Sequence, residues 1–366
     1  MHQRRLECPD IGAFVGASAT GLLFERETRM TKNRVKTAPR RLGRTLSLVG
    51  TAALAVACGS GGGGKAPAPK PEAKEEGPFK SLEVAANGAA FSDPRGGVPL
   101  KNGRVAFLAT VSDDRGQVGL FMQGENGTEL LYSGEKLVNA RDIDTSLEED
   151  ALLAADPSVI STGPDGTQLS GAILKFSLTG GAPELLAAGY APVSITVDES
   201  GIYFSGRDPS SGEPGVFRLV GETVESVFTG SPLVDPSGIV VLKDGAVLVA
   251  DTRLFESTPI NSEAGVVRIK DGEAKLFASG FATGYPAGIA VTTDESTLIV
   301  SGEAPDRSDA VYLFSVADPS AGATVVRAEF SVEQNSSAGL KRLRGANTFI
   351  WASGSFKNGT VYKIKA

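Results

Sequence analysis

The chain of 366 residues is almost without histidine, His2 being the one it has. Chemistry that passes a proton through an imidazole, or holds a metal on several, lacks its residues. Cysteine is as scarce: Cys8 and Cys58 are the whole supply, too few for a disulfide framework or a cysteine-rich metal site. Aromatic residues make up 7% of the chain, with Trp351 the single tryptophan. No Gly-x-Ser-x-Gly elbow, phosphate-binding loop or His-Glu-x-x-His pair occurs. A serine nucleophile without histidine would need a lysine base, and no Ser-x-x-Lys stands in a suitable setting. No catalytic residue is assigned.

Glycine, by contrast, is abundant at 45 residues, and 41% apolar with 22% charged residues is an ordinary balance for a chain with a large core. This composition suits many tight turns and slim strands better than long helices. The pattern is clearest from Ser237 to Gly280, where four short strands read Ile239 to Leu242, Ala246 to Ala250, Val266 to Ile269 and Ala274 to Ala278. Lys243-Asp244-Gly245 and Lys270-Asp271-Gly272 separate them in pairs, and Asp-Gly between two β-rich runs is a strong hairpin signal. The unit is an antiparallel four-stranded meander.

Its parts recur. First strands begin near Ile195, Ile239, Ile289 and Leu340, steps of 44, 50 and 51 residues, with fainter copies at Ile143 and Phe91 at steps of 52. The sixth unit ends on its third strand at Ala366, while Leu82 to Gly88, LEVAANG, carries the fourth-strand pattern ahead of the first unit. An N-terminal strand completing the last unit closes a ring and hides both sheet edges. Residues 79–366 number 288, or 48 per unit, a blade length. The fold expected is all-β, a six-bladed β-propeller.

Before the repeat lies a different kind of sequence. Lys32, Arg34, Lys36, Arg40, Arg41 and Arg44 precede an apolar run from Leu46 to Ala57, too short to span a bilayer but suited to a signal-peptide core. The run ends Leu54-Ala55-Val56-Ala57-Cys58 and resembles the bacterial lipobox. The resemblance implies lipidation of Cys58 as the mature N-terminus. Gly59, in place of an inner-membrane-retaining aspartate, implies the outer membrane. Residues 30–57 are then the signal peptide, and residues 1–29 an upstream extension outside the native protein. Residues 58–78, GSGGGGKAPAPKPEAKEEG within them, read as a tether holding residues 79–366 on the order of 25 Å from the bilayer. Ten of 36 basic and four of 43 acidic residues precede Cys58, so the mature chain carries 26 against 39, a balance of −13. Nucleic acid is not expected as a partner for such a surface. The expected partners are a membrane, through the anchor, and a protein or small-molecule ligand.

The phrases DPSGIVVLKDGAVLVADT (Asp235 to Thr252) and YPAGIAVTTDESTLIVSG (Tyr285 to Gly302) resemble blades of the NHL and SMP-30/gluconolactonase-like propellers. The likeness implies a six-bladed fold and, as one alternative, a metal-dependent lactonase or lyase activity. In the SMP-30 lactonases the channel holds a divalent cation on Glu, Asn and Asp, one Asn preceding the first-strand glycine. The matching positions here are Ser237 and Ala287, so that ligand is missing from the two best-matching blades. Quinone-dependent dehydrogenases and paraoxonase-like propellers rely on channel histidines, and the mature chain has none.

In a propeller, loops joining strand four to the next strand one share a rim with those joining strands two and three. These are the long connections here, and ligand chemistry is expected on that rim. Second strands end at or near Asp113, Asp156, Asp208, Asp251 and Asp306. Such a carboxylate ring would suit Ca²⁺, which takes six to eight oxygen ligands; equally, each aspartate would cap its own turn. Asn87, Asn139, Tyr190 and Tyr285 are candidate ligand residues on the rim, blade packing being the alternative for the tyrosines. Asp142 and Asp144, with Glu148, Glu149 and Asp150, form the densest acidic cluster and read as a solvated turn. Trp351 reads as core.

Overall fold

The computed structural model describes residues 81–112, 116–256, 262–304, 309–327, 336–354 and 359–365. Cys58, the signal peptide, the tether, Asp113 and Asp306 lie outside the described residues. Six four-stranded antiparallel sheets are present, each formed of strands consecutive in sequence but one. That one takes its outer strand from the start of the chain: Ser81–Asn87 pairs with Thr360–Lys365, in a register that sets Leu82 against Ile364 and Val84 against Tyr362. The expected closure is borne out. It leaves neither end of the repeat as a raw sheet edge.

Axis-lining strands, from blade one to blade six, are Phe91–Pro99, Asp142–Thr145, Ser194–Asp198, Pro236–Val241, Ile289–Val291 and Ser336–Arg342. They are brought close by small residues. A Cβ on Gly96 would stand 2.9 Å from Asp142 Cα, and one on Gly339 2.8 Å from the Arg95 carbonyl oxygen. Gly96, Asp142, Ser194, Gly238, Gly288 and Gly339 thus form one ring of equivalent positions around the axis, four of them glycine. Side chains larger than these would push neighbouring blades apart.

The core lies between blades rather than around the axis. Ala106, Leu108 and Leu120 of blade one meet Ile143, Leu152, Leu174 and Phe176 of blade two. Phe349, Trp351 and Tyr362 of blade six meet Ile299 and Leu313 of blade five, so Trp351 is core. Each blade therefore buries both faces of its second and third strands, and their continuous apolar runs follow from that. A fully buried Phe or Leu contributes about 1.5–3 kcal/mol, and the exposed outer strands contribute less.

Strands two of blades two and four run further than the sequence suggests, to Thr162 and Glu256. Their pairing slips just after Asp156 and Asp251, so each aspartate marks a bulge rather than a strand end. A bulge frees backbone donors beside it, and the two carboxylates take them up.

Candidate functional site

Along the axis, the side chains of the ring come first. Asp142, 2% exposed, accepts from the Ser194 hydroxyl and from the Ile195 N–H at 3.1 Å. Lys341, from blade six, places its ammonium 2.8 Å from Asp142 Oδ2 and donates to the Ile195 carbonyl of blade three. Asp142 and Asp144 are thus axis-facing strand residues and not part of a solvated turn, because alternate positions of an inner strand point at the channel. The charge of one is met by a lysine contributed four blades later. Burial raises the pKa of Asp144, and Lys341 and Arg344 partly offset the rise.

Toward the tight-turn rim the channel widens into a cavity of about 460 Å³, lined by Asp144, Thr196, Val240, Thr292, Lys341 and Arg344 among others. Arg344 straps this end. It donates to the carbonyls of Thr145 at 3.0 Å, Ser146, Leu147 at 3.0 Å and Val197 at 3.4 Å, crossing from blade six to blades two and three.

At the long-loop rim two arginines stand one residue ahead of ring positions, Arg95 before Gly96 and Arg141 before Asp142. Arg95 is held by Asp93 at 3.2 Å, by Asn139 Oδ1 at 2.8 Å and by the Thr110 hydroxyl at 3.4 Å. Asn139 in turn donates to the Ser158 hydroxyl at 3.1 Å. Arg141 lies over the ring of Tyr285, 5.3 Å from its centroid. Arg141 leads into blade two and Tyr285 into blade five, so the contact reaches across the axis and caps the channel. Burial, and then the charge of Arg95, lower the pKa of Arg141. Burial, and then Asp235, raise that of Tyr285.

The expected site residues fall into three groups. Asn139 and Tyr285 come together at this mouth. Tyr190 instead packs on Phe217 and Phe204, with centroids 4.8 and 5.8 Å away, as part of the blade core, and Asn87 is exposed on the outermost strand of blade six.

The aspartates serve the backbone. Asp156 accepts N–H groups from Val138, Asn139 and Ser158 at 2.8–2.9 Å. Asp251 accepts from Val234, Asp235 and Arg253 at 2.8, 3.0 and 3.0 Å; burial raises its pKa and those bonds oppose the rise. Asp208 caps its own exposed turn, where the Ser210 hydroxyl and the N–H groups of Ser211 and Ser210 pull its pKa down to about 2. Among the described residues, no three His, Cys, Asp or Glu side chains stand close enough to share a metal ion. Carboxylate oxygens already accepting two or three N–H bonds make poor cation ligands, so Asp156, Asp208 and Asp251 do not suit Ca²⁺, while Asp113 and Asp306 of the expected ring lie outside the described residues.

Neither a family model nor a curated protein matches the sequence. Solved structures do. A gluconolactonase from Xanthomonas campestris superposes with a TM-score of 0.53 at 15% identity, over 78% of this chain and 89% of its own. The α-L-arabinofuranosidase of Fusarium graminearum gives 0.53 at 8%, over 79% and 98%. The α-L-arabinanase of Penicillium chrysogenum gives 0.52 at 12%, over 77% and 98%. At such identities the likeness establishes the propeller fold, which hosts unrelated activities.

The residues that sequence reading missed are Arg95, Arg141 and Lys341. A signal was present. Asp144 and Lys341 stand at a first-strand position that is Val98, Val240 and Ala290 in blades one, four and five, and Arg95 and Arg141 at one that is Val193, Ala287 and Ala338 in blades three, five and six.

Proposed function

We propose that this chain is a lipid-anchored, extracytoplasmic propeller of the outer membrane that binds a protein or small ligand at its long-loop rim without transforming it. One observation carries the reading. Both axis-facing carboxylates stand beside a cation of the chain itself: Asp142 Oδ2 meets the Lys341 ammonium, the Ser194 hydroxyl and the Ile195 N–H, and Asp144 lies 3.9 Å from Arg344. The mature chain has no histidine. The lipobox ending at Cys58 supports the anchor.

A metal-dependent lactonase or lyase is the second reading, motivated by the fold shared with the Xanthomonas gluconolactonase. The two separate in one assay. Full-length protein is incubated with a panel of lactones, with and without Ca²⁺, Mg²⁺ or Zn²⁺; the binding reading expects no metal-dependent turnover, and turnover abolished by chelation would replace it with the second. For the anchor, globomycin is expected to hold the precursor at its unprocessed size, and processing that continues unchanged would refute lipidation.

A further inference from the structure

We infer that the long-loop mouth of the channel binds a small organic monocarboxylate, taken by the guanidinium of Arg141 with Arg95 beside it and Tyr285 packed against it. The inference rests on the binding reading above and specifies the ligand's chemistry. It begins with an imbalance of partners. The Arg141 side chain makes no hydrogen bond among the described residues, and its buried Nε has no partner, although its backbone N–H donates to the Ala155 carbonyl at 2.9 Å. A guanidinium has five N–H donors in a planar fork that matches a carboxylate, and burying such donors unpaired is unfavourable unless something supplies the acceptors.

The protein's own carboxylates do not supply them. Asp93 is taken up by Arg95 at 3.2 Å. Asp156 is taken up by three backbone N–H groups. Asp235 accepts from the Thr252 hydroxyl at 3.1 Å and lies 3.9 Å from Arg207. Among the described residues, Arg95 donates to Asn139 Oδ1 and Arg207 to the Val234 carbonyl, whereas the Arg141 guanidinium has no hydrogen-bond acceptor. Its guanidinium lies over the Tyr285 ring, 5.3 Å from the centroid, where blades two and five face each other at the channel mouth. Burial and then Arg95 lower the pKa of Arg141, while Tyr285, Asp93 and Asp156 act through space in the other direction without a hydrogen bond to it.

The three neighbouring carboxylates also set the ligand's charge. One negative charge would satisfy Arg141, with Arg95 reinforcing it; a second would meet Asp93, Asp156 and Asp235. A monoanionic carboxylate is therefore favoured over inorganic phosphate.

The test uses detergent-solubilised full-length protein and ligand-observed NMR, with benzoate as probe, benzamide as its neutral isostere and inorganic phosphate as the multivalent anion. Benzoate is expected to bind at least ten-fold more tightly than benzamide or phosphate, and Arg141→Gln to remove that preference. Arg218→Gln, on a strand far from the mouth, should leave it unchanged. Equal binding of benzoate and benzamide, tighter binding of phosphate, or an unaltered preference in a folded Arg141→Gln protein would each overturn the inference. Should Arg141→Gln fail to fold, Tyr285→Leu provides the second variant, expected to weaken benzoate about three-fold. Lactone turnover is followed in the same preparations. Metal-dependent turnover would sink the binding reading itself, whereas a lost benzoate preference with no turnover would sink the carboxylate assignment alone.

Discussion

The two ends of the channel treat their arginines in opposite ways. At the tight-turn end Arg344 donates to four carbonyls on two other blades, and Arg342 donates to the carbonyls of Leu343 and Ala346. At the long-loop end the Arg141 guanidinium has an aromatic ring beneath it and no hydrogen-bond acceptor among the described residues. The difference extends beyond these residues. Of the five buried side-chain polar atoms without a partner among the described residues, four lie toward the long-loop rim: Arg141 Nε, Asp142 Oδ1, Ser161 Oγ and Asp309 Oδ1. Only Arg218 Nε lies toward the other. Local rules of polar satisfaction are broken mostly where a protein works, so one end reads as a fastening and the other as a site.

The largest effect should come from the waist between the ends. Lys341→Ala would leave Asp142 buried beside an uncompensated gap, and breaking a buried pair by removing one partner costs about 3–5 kcal/mol. Urea unfolding of Lys341→Ala is expected to show a loss of that size, and the double variant Asp142→Asn, Lys341→Met to recover most of it. A loss under about 1 kcal/mol would mean that the waist does not hold the two ends together.

A second prediction concerns pH and belongs to the long-loop end. Asp309, 1% exposed, has its pKa raised to about 6, chiefly by burial, with the Ser353 hydroxyl opposing and Glu303 adding to the rise. Between about pH 4 and 6 the folded protein then keeps a proton that the unfolded chain has released. The stability from this group is full below the unfolded value and is lost as pH rises through 6, by about 2–3 kcal/mol. Melting curves from pH 4 to 7.5 are expected to show that decline, and Asp309→Asn to flatten it. An unchanged slope in the variant would place the unsatisfied carboxylate elsewhere.

How much of this could be read from the residues follows the same division. The Asp-Gly turns at Gly245 and Gly272, the period of the first strands and the stray LEVAANG segment determine the ring, because each is a local signal repeated in register. The mouth is not local. Arg141 meets Tyr285, 144 positions away, only after six blades have closed; Asp142 meets Lys341 across an axis that exists only in the finished ring. The cluster of Asp142 and Asp144 looked like a solvated turn because neighbouring Glu148 and Glu149 extend the acidic run, and nothing local shows where the inner strand ends.

The smallest effect bears on the comparison most directly. Arg344→Ala removes donors from carbonyls of Thr145, Ser146, Leu147 and Val197, and stranded acceptors of this kind cost about 1–3 kcal/mol. Arg141→Gln removes a guanidinium with no hydrogen bond to lose, so its stability should stay within about 0.5 kcal/mol of the parent. Even a slight gain would fit, because the field of Arg95 is relieved. Paired thermal unfolding of the two variants reads the contrast, and equal losses would erase the distinction between a fastened end and an open one. The more Arg141→Gln gains in stability while losing benzoate, the more clearly the unpaired guanidinium is kept for what it binds, since a residue retained for the fold would be missed by the fold.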